Sequence, residues 1–355
     1  MIECIFTIDY EIYGNGDGSL RELVYEPAQR LMTVFDEWNA RFVNFVEVAE
    51  LEKIEDAGSD RAIADIRRQV REMYERGFEI GLHLHPQWCN ARFRDGRWLL
   101  DYAEYNLCTL PRGRIAQIVE GAIAYLTDVV NAADYAPRSF RAGNWLLQPS
   151  HSAAAVLAEN GIRVDSSVFK GGLQHRYGLD YRSALKNGYY WRFEANVNVD
   201  DPQGALLEIP TYTEMVPFWR MLTTKRVALQ RKAGSGVRRN AAGNKPSRMA
   251  LLRDRLRFFY PLKFDFCRMT SDELRGMLDR VIWEDQETPA LLKPIVAIGH
   301  TKDLTDFETV VAFLSYLKEK RIKISTFNGI YGQCKLQLPA SGSQADSKKA
   351  YAGQD

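Results

Sequence analysis

The chain has 355 residues, of which 46% are hydrophobic and 26% are charged, the composition of an ordinary globular protein with a substantial core. Its net charge of +1 argues against a protein built as a whole around nucleic acid. Its apolar runs fall short of the roughly 18 residues that a membrane-spanning helix needs. The N-terminal sequence lacks the pattern of a secretory signal, and the five cysteines lack CxxC spacing, so we expect a cytoplasmic protein with reduced thiols.

Short apolar runs alternate with longer amphipathic patterns along the chain. The predicted strands cover residues 4–8, 41–48, 78–84, 139–142, 164–165, 206–210, 294–298 and 323–326. The predicted helices cover residues 26–38, 59–77, 111–132, 150–161, 271–283 and 306–320. This alternation predicts an α/β fold in which helices cover parallel strands, as a barrel or as an open sheet. In both architectures functional side chains collect at the C-terminal ends of the strands.

The first predicted strand ends in a closely spaced pair of carboxylates, Asp9 and Glu11. Residues i and i+2 of a strand point to the same side, so both can face one mouth of the fold. Two carboxylates there suit a division of labour in which one binds a metal and the other acts as a general base. The alternative is that they cap the glycine-rich turn at residues 14–18.

The strand predicted over residues 78–84 leads into a pair of histidines with the same spacing, His83 and His85. Both imidazoles would project from one face at the end of the strand, as a metal-binding pair must. The alternative is a pair of half-buried histidines bonded to backbone carbonyls. Because the chain has only five histidines, their pairing at the end of a core strand favours a functional site.

Three further polar residues end later predicted strands. Arg141 is suited to holding a carboxylate in its ionised form, although an ordinary surface ion pair is the alternative. Asp165 would either orient a histidine or cap the next turn. His300, after the apolar strand 294–298, is placed for proton transfer, unless it is a satisfied core histidine.

Two segments depart from this pattern. Residues 221–260, named here the basic insertion, carry eleven Lys or Arg and one acidic residue, a local charge of +10. The insertion would be a solvated loop, or else a contact for the phosphates of a nucleotide or lipid carrier or for an anionic membrane surface. Residues 336–355 are mostly small, polar and charged, and we expect a disordered tail there.

In chain order, these strand ends resemble the motifs of the polysaccharide deacetylase family, also called the NodB-homology family or carbohydrate esterase family 4. The resemblance covers about residues 5–330 and lies in the joint order of short matches. The matching segments are Thr7-Ile8-Asp9-Tyr10, Glu79-Ile80-Gly81-Leu82-His83, Phe140-Arg141-Ala142-Gly143, Asp165-Ser166 and Ile298-Gly299-His300.

The resemblance implies a distorted (β/α) barrel of about seven parallel strands, here as one catalytic domain over residues 1–335. It also implies a divalent metal, usually zinc, held by a carboxylate and two histidines, which activates a water to attack an N-acyl carbonyl. By position, Asp9 matches the general base and Arg141 the residue that braces it. His300 matches the acid that protonates the leaving amine, and Asp165 the group that orients it.

Two positions depart from the family pattern. Tyr10 stands where the family has its metal-binding aspartate, and Gln87 where it has its second metal-binding histidine. Two nearby residues could replace the missing ligands. Glu11 lies one residue after Tyr10, His85 lies two residues before Gln87, and each lies on the correct face of its strand.

We therefore predict that Glu11, His83 and His85 are the metal ligands and that Asp9 is the base. An exchange of roles between Asp9 and Glu11 stays open. Residues near the strand ends are also predicted to contact the substrate, and these are Trp88, Asn144 and Trp145.

These residues predict a metal-dependent hydrolase that removes an acetyl or formyl group from an amino sugar. A nucleotide- or lipid-linked precursor of surface polysaccharide suits the cytoplasm, and the basic insertion would contact its phosphates or the membrane surface. A small non-sugar amide is a related alternative. The alternative from another class is a catalytically silent homologue that binds a glycan or its precursor, which the replacements Tyr10 and Gln87 favour.

Overall fold

The computed structural model describes residues 1–227, 229 and 257–338. Most of the basic insertion and the tail beyond residue 338 lie outside this described part of the chain, so what is predicted for them stays a prediction. No helix within the described ranges combines the length and the apolar character needed to cross a bilayer.

The described chain alternates strands with helices for most of its length. The strands are β1 (Ile2–Tyr10), β2 (Val43–Glu47), β3 (Glu79–Leu84), β4 (Arg92–Arg94), β5 (Arg97–Leu99), β6 (Ser139–Ala142), β7 (Val164–Asp165), β8 (Leu173–Gln174), β9 (Leu179–Asp180), β10 (Trp191–Phe193), β11 (Leu206–Glu208), β12 (Thr213–Pro217), β13 (Phe259–Lys263), β14 (Lys293–His300) and β15 (Lys323–Ile324). The helices are α1 (Glu26–Glu37), α2 (Val48–Ala57), α3 (Ile63–Glu75), α4 (Arg112–Val130), α5 (His151–Glu159), α6 (Ser271–Glu287), α7 (Phe307–Glu319) and α8 (Phe327–Gln337).

Nine of these strands form one sheet, in the order β10-β11-β7-β6-β3-β2-β1-β14, with β15 also paired to β1. Neighbouring strands run parallel, apart from β10, which is antiparallel to β11. Beyond β11, Thr211 bridges both Phe169 and Val296, so the two sides of the sheet meet and the sheet curls into a barrel. The predicted distorted (β/α) barrel is confirmed for the described residues, with eight parallel strands instead of about seven.

Apolar residues on β1 anchor the strand that leads to the first candidate carboxylates. A parallel strand covered on both sides is buried on both faces, which selects a nearly continuous apolar run. The ring of Phe6 packs against those of Phe35, Phe266 and Phe313 at centroid distances of 5.1, 5.4 and 5.8 Å. This packing fixes where β1 ends, and with it the position of the residues that follow.

Two helices, α2 and α8, are absent from the sequence prediction because their first residues resemble strand ends. The predicted strand 41–48 ends at Glu47, whose side chain accepts the backbone N–H of Glu50 (3.3 Å) and caps α2. The predicted strand 323–326 is likewise only two residues long, and the side chain of Thr326 caps α8. In both places a polar residue that follows a short strand begins a helix.

Candidate metal centre and catalytic site

The residues at the end of β1 alternate between the barrel mouth and the core. Asp9 and Glu11 lie on the mouth side and are only 3% and 4% exposed. Tyr10, between them, points into the core, where its hydroxyl donates to Oε1 of Gln69 on α3 (2.7 Å). The tyrosine at the family's aspartate position is thus a core residue, and the carboxylates share the face that their i, i+2 spacing predicts.

β3 and the turn after it bring the two histidines to Glu11. Nε2 of His83 lies 3.6 Å and Nε2 of His85 lies 3.0 Å from Oε2 of Glu11. The two imidazole rings are perpendicular, with their centroids 4.9 Å apart. Each of the three residues offers one ligand atom, and these atoms all lie within 4.8 Å of one another. The structure therefore brings the three predicted metal ligands together.

Hydrogen bonds orient both imidazoles. Nδ1 of His83 lies 2.8 Å from the backbone oxygen of Arg141, and since a carbonyl oxygen only accepts, Nδ1 carries a proton. Nε2 of His83 is buried and has no hydrogen-bond partner among the described residues. Nδ1 of His85 lies 3.2 Å from the side-chain nitrogens of both Gln87 and Asn144.

Gly143 and Asn144 shape the seat of the His85 ring. A Cβ on residue 143 would lie 2.4 Å from the backbone oxygen of Leu84 and 2.7 Å from Cγ of His85, so glycine is required for the ring to approach. Asn144 has a positive φ of 56°, which asparagine tolerates better than most residues, and its amide reaches His85. Asn144 thus positions a candidate ligand, while its predicted contact with the substrate stays a prediction.

The donor set fits a divalent cation such as zinc, which proteins hold through imidazole nitrogens and carboxylate oxygens. A cation would give the unpartnered Nε2 of His83 a ligand bond. Nε2 of His85 is free for a cation when Nδ1 carries the proton, which needs an amide oxygen beside Nδ1. Oε1 of Gln87 is buried without a hydrogen-bond partner, so a half-turn of that amide would place an acceptor beside Nδ1. The amide of Asn144 would have to turn in the same way, because its nitrogen also lies 3.2 Å from Nδ1 and two donors cannot bond each other.

Lys302 holds the other oxygen of Glu11. Its ammonium donates to Oε1 of Glu11 (2.7 Å) and to the backbone oxygen of Ile12 (3.0 Å), which leaves Oε2 facing the histidines. Burial by itself raises the pKa of Glu11, but Lys302 and then His85 outweigh burial and hold the pKa well below its usual range. Glu11 is therefore ionised, the form that binds a cation.

The structure pairs Arg141 with Asp9, the contact that the family resemblance implies. The buried guanidinium donates to Oδ1 of Asp9 (2.7 Å), to the hydroxyl of Thr7 (3.0 Å) and to the backbone oxygen of Ser166 (3.0 Å). Burial raises the pKa of Asp9, but Arg141, together with nearby histidines, outweighs burial and lowers it. Asp9 is therefore ionised, as a proton acceptor has to be.

His300 lies beside Asp9 at the end of β14. Its Nε2 is 3.4 Å from Oδ2 of Asp9, and its Nδ1 is 4.0 Å from Oδ2 of Asp303. Burial lowers the pKa of His300 to about 4, against the opposing effect of Asp9, so the imidazole is neutral at pH 7. Asp9, Glu11 and His300 also bring ligand atoms within 4.8 Å of one another, which leaves the exchange of roles between the two carboxylates open.

Asp165 forms no hydrogen bond with His300 among the described residues, so the prediction that it orients this imidazole is wrong. Its carboxylate oxygens accept the hydroxyl (2.7 Å) and the backbone N–H (3.0 Å) of Ser167. Burial raises the pKa of Asp165, and a hydrogen bond with Glu208 opposes that rise. Nδ1 of His300 is buried and has no hydrogen-bond partner among the described residues. Asp303, three residues after His300, lies beside the imidazole instead.

Of the two tryptophans predicted to contact substrate, Trp145 borders the site and Trp88 does not. Trp145 is half-buried, with its ring centroid 5.5 Å from the guanidinium carbon of Arg141. Trp88 is 1% exposed and packs edge-on against Trp98, with ring centroids 5.0 Å apart. The ring of Trp88 belongs to the core, so its prediction as a substrate contact is wrong.

Four charged residues of the site are absent from the sequence prediction. Lys302 and Asp303 lie in the turn after β14, and Glu47 and Glu50 lie at the start of α2. Burial, and then neighbouring carboxylates, raise the pKa of Glu50 to about 8 and that of Glu47 well above its usual range. Glu47 ends β2, and Lys302 follows His300 at the i, i+2 spacing used for the other pairs, so the same reasoning would have found both residues, whereas Asp303 leaves no comparable signal.

No protein-family model matches this sequence, and none of the curated proteins does. Among solved structures, the chain is similar to one described as a polysaccharide deacetylase from Mycobacterium smegmatis, with 14% identity and a TM-score of 0.52 over 97% of this chain and 94% of that chain. It is also similar to one described as a polysaccharide deacetylase from Pseudomonas aeruginosa PAO1, with 13% identity and a TM-score of 0.50 over 96% of this chain and 93% of that chain. Puue allantoinase is a third, with 12% identity and a TM-score of 0.50 over 96% of this chain and 92% of that chain. At these identities the matches establish the fold, and the chain is a barrel of the polysaccharide deacetylase type.

Proposed function

We propose that the protein is a metal-dependent hydrolase that removes an acetyl or formyl group from the nitrogen of an amino sugar. The observation that carries this proposal is the convergence of a three-ligand cluster and a proton-transfer pair at one barrel mouth. Glu11, His83 and His85 form the cluster, and Asp9 and His300 form the pair. Burying so many ionisable groups together costs desolvation free energy, which a purely structural role does not explain.

Each group in the cluster has a distinct task. Glu11, His83 and His85 would hold the cation. When bound, a divalent cation such as Zn²⁺ supplies a Lewis acid and lowers the pKa of a coordinated water to roughly 7. Asp9 is ionised and held through Oδ1 by Arg141, so its other oxygen, Oδ2, accepts the proton of the attacking water.

His300 passes the proton to the leaving amine. Its Nε2 lies 3.4 Å from Oδ2 of Asp9, the oxygen that Arg141 does not hold. Because burial keeps the imidazole neutral, His300 must receive a proton before it can donate one. Asp9 is the neighbouring group that supplies it, so the proton moves from water to Asp9, then to His300, and then to the amine nitrogen.

We further propose that the substrate is a nucleotide- or lipid-linked precursor of surface polysaccharide and that the protein acts in the cytoplasm. The charge of +10 on the basic insertion supports a contact with the phosphates of the carrier or with a membrane surface. The likeness to deacetylase structures supports an N-acylated sugar. The likeness to an allantoinase structure keeps a small non-sugar amide as the related alternative.

A catalytically silent homologue that binds a glycan or its precursor is the second candidate. The ion pair between Lys302 and Glu11 favours it, because this pair neutralises a candidate ligand without a metal. The amide nitrogens beside Nδ1 of His85 favour it too, because they leave the proton of a neutral imidazole on Nε2. The adjacency of Asp9 and His300 opposes it, since binding alone requires no proton transfer.

The test is release of acetate or formate from N-acetylated and N-formylated amino sugars, supplied free, nucleotide-linked and lipid-linked, by the zinc-supplemented full-length protein. We expect release by the wild type and its loss in Asp9→Asn and His300→Asn. Tyr10→Phe changes a hydroxyl on the core side of the same strand, so this matched control should keep its activity. A zinc-loaded wild type that binds members of the panel but releases neither acid would establish the silent homologue instead.

A further inference from the structure

Lys263, at the end of β13, is a half-buried lysine without a partner of opposite charge. Among the described residues, its Nζ has neither an ion pair within 4.0 Å nor a hydrogen bond. Other lysines that are withdrawn from solvent have hydrogen-bond partners, since Lys293 donates to Asp285 (2.8 Å), Lys302 to Glu11 (2.7 Å) and Lys170 to the backbone oxygen of Gly188 (2.7 Å). Lysine is rarely buried without such a partner, so the unpaired ammonium of Lys263 indicates a site where a ligand binds.

Two aromatic rings lie next to the ammonium of Lys263, in place of a counter-ion. Nζ of Lys263 lies 4.2 Å from the ring centroid of Trp145 and 4.8 Å from that of Phe169, and the two rings meet edge to face with centroids 5.5 Å apart. The backbone of Trp145 has a positive φ of 67°. Its carbonyl oxygen accepts the hydroxyl of Tyr181 (2.6 Å). A non-glycine residue held at positive φ is strained, and such residues cluster at ligand sites.

The ammonium of Lys263 belongs to the mouth of the candidate catalytic site. Two backbone hydrogen bonds of 2.9 and 3.0 Å tie residues 264 and 266 to Ile298, so Lys263 lies beside the strand that ends at His300. The ring centroid of Trp145 lies 4.2 Å from this ammonium and 5.5 Å from the guanidinium carbon of Arg141, which holds Asp9. A substrate that reaches Asp9 therefore passes close to this lysine.

Asp265, the acid with the largest electrostatic effect on Lys263, is already engaged. Its Oδ1 accepts the backbone N–H groups of Cys267 and Arg268, both at 3.0 Å, and its Oδ2 lies 3.7 Å from Nε of Arg268. Burial lowers the pKa of Lys263 to about 8, and Asp265 opposes that change. At pH 7 the side chain is therefore mostly a cation, with no carboxylate of its own.

We propose that Lys263, above the rings of Trp145 and Phe169, binds an anionic group of the substrate, a carboxylate or a phosphate. This inference rests on the proposed function, because it takes the barrel mouth as the place where the substrate binds. An anion would give the ammonium the charge-assisted hydrogen bonds that it lacks. Because the lysine is already partly desolvated and positioned in the free protein, little further ordering opposes binding. The substrate class thus narrows to an N-acylated amino sugar that carries a carboxylate or a phosphate near the acylated nitrogen.

Binding of small anions to the metal-free protein tests this inference. The probes are inorganic phosphate and acetate, titrated separately at pH 7, and the readout is the NMR signal of the indole N–H of Trp145, identified with Trp145→Phe. We expect saturable shifts in the wild type and in Lys263→Arg, and affinity weakened about tenfold or more in Lys263→Met. Tighter binding of phosphate than of acetate assigns a phosphate to the substrate, and the reverse order assigns a carboxylate.

Lys320→Met, at an exposed lysine, is the matched control and should leave anion binding unchanged. The inference is overturned if neither anion binds saturably to the wild type, or if Lys263→Met binds both as tightly as the wild type does. Lys263→Gln provides the same comparison if the methionine variant does not fold. The readout involves neither a metal nor turnover, so failure of this inference and failure of the proposed hydrolysis give different results.

Discussion

Replacement of Arg141 by methionine should destabilise the protein by about 3–5 kcal/mol, because it leaves the carboxylate of Asp9 buried without its partner. The pair is enclosed, with side chains 1% and 4% exposed and an N–O distance of 2.7 Å. Hydrogen bonds from the guanidinium to Thr7 and Ser166 are lost with it, and each contributes about 0.5–1.5 kcal/mol. We therefore expect the upper part of that range.

A double-mutant cycle with Asp9→Asn isolates the charge pair from the other contacts of Arg141. Asparagine keeps the size of aspartate but removes its charge, so the two substitutions together should cost less than their sum, with a coupling of about 1.5–3 kcal/mol. Urea unfolding of the metal-free proteins, followed by circular dichroism, measures the four stabilities. The matched control is the pair Arg112–Glu159, whose side chains are 53% and 57% exposed and whose coupling should stay below about 1 kcal/mol.

A coupling between Arg141 and Asp9 below about 0.5 kcal/mol, no larger than that of the exposed pair, would refute the role given to Arg141. The pKa of Asp9 provides an independent check. Arg141 is the largest influence that lowers this pKa, so its removal should raise the pKa in NMR titrations.

Three further substitutions probe other parts of the site. Burial, and then Glu11, raise the pKa of Glu50 from 4.5 to about 8, so the folded protein keeps a proton that the unfolded chain loses. The contribution of Glu50 to the free energy of unfolding of the metal-free protein should therefore fall as the pH rises from about 4.5 to about 8. Glu50→Gln should flatten that dependence in urea unfolding, and an unchanged slope would contradict the assignment. Tyr10→Phe loses the hydrogen bond to Gln69 and should cost about 1 kcal/mol with metal content unchanged, whereas loss of metal would make Tyr10 a ligand. His300→Asn should lower kcat about a hundredfold to ten-thousandfold with metal retained, and metal loss would point to His300 as a ligand.

The pairing of strand-end residues could be predicted because side-chain alternation along a strand is a local property. Asp9 and Glu11 share a face for this reason alone, and Tyr10 between them faces the core. The same rule places His83 and His85 together. Parallel strands in a curled sheet then bring separate strand ends to one mouth, which is why Glu11 meets the histidines in the structure.

Contacts that depend on turns and on barrel closure could not be predicted in this way. Asp165 follows a strand, as Asp9 does, yet its carboxylate binds Ser167, two residues later, instead of His300. Asp303 reaches His300 because a single helical turn follows β14. Trp88 lies in a similar buried turn, which places its ring in the core. No periodic pattern in the chain reports how these turns fold.

The metal content of the purified protein, measured by mass spectrometry after zinc is added and excess zinc is removed, tests the proposed centre most directly. We expect about one divalent ion per wild-type chain, lost in His83→Ala and in His85→Ala and retained in the Tyr10→Phe control. A wild type that holds no metal after this treatment, or histidine variants that both keep it, would contradict a metal site formed by Glu11, His83 and His85.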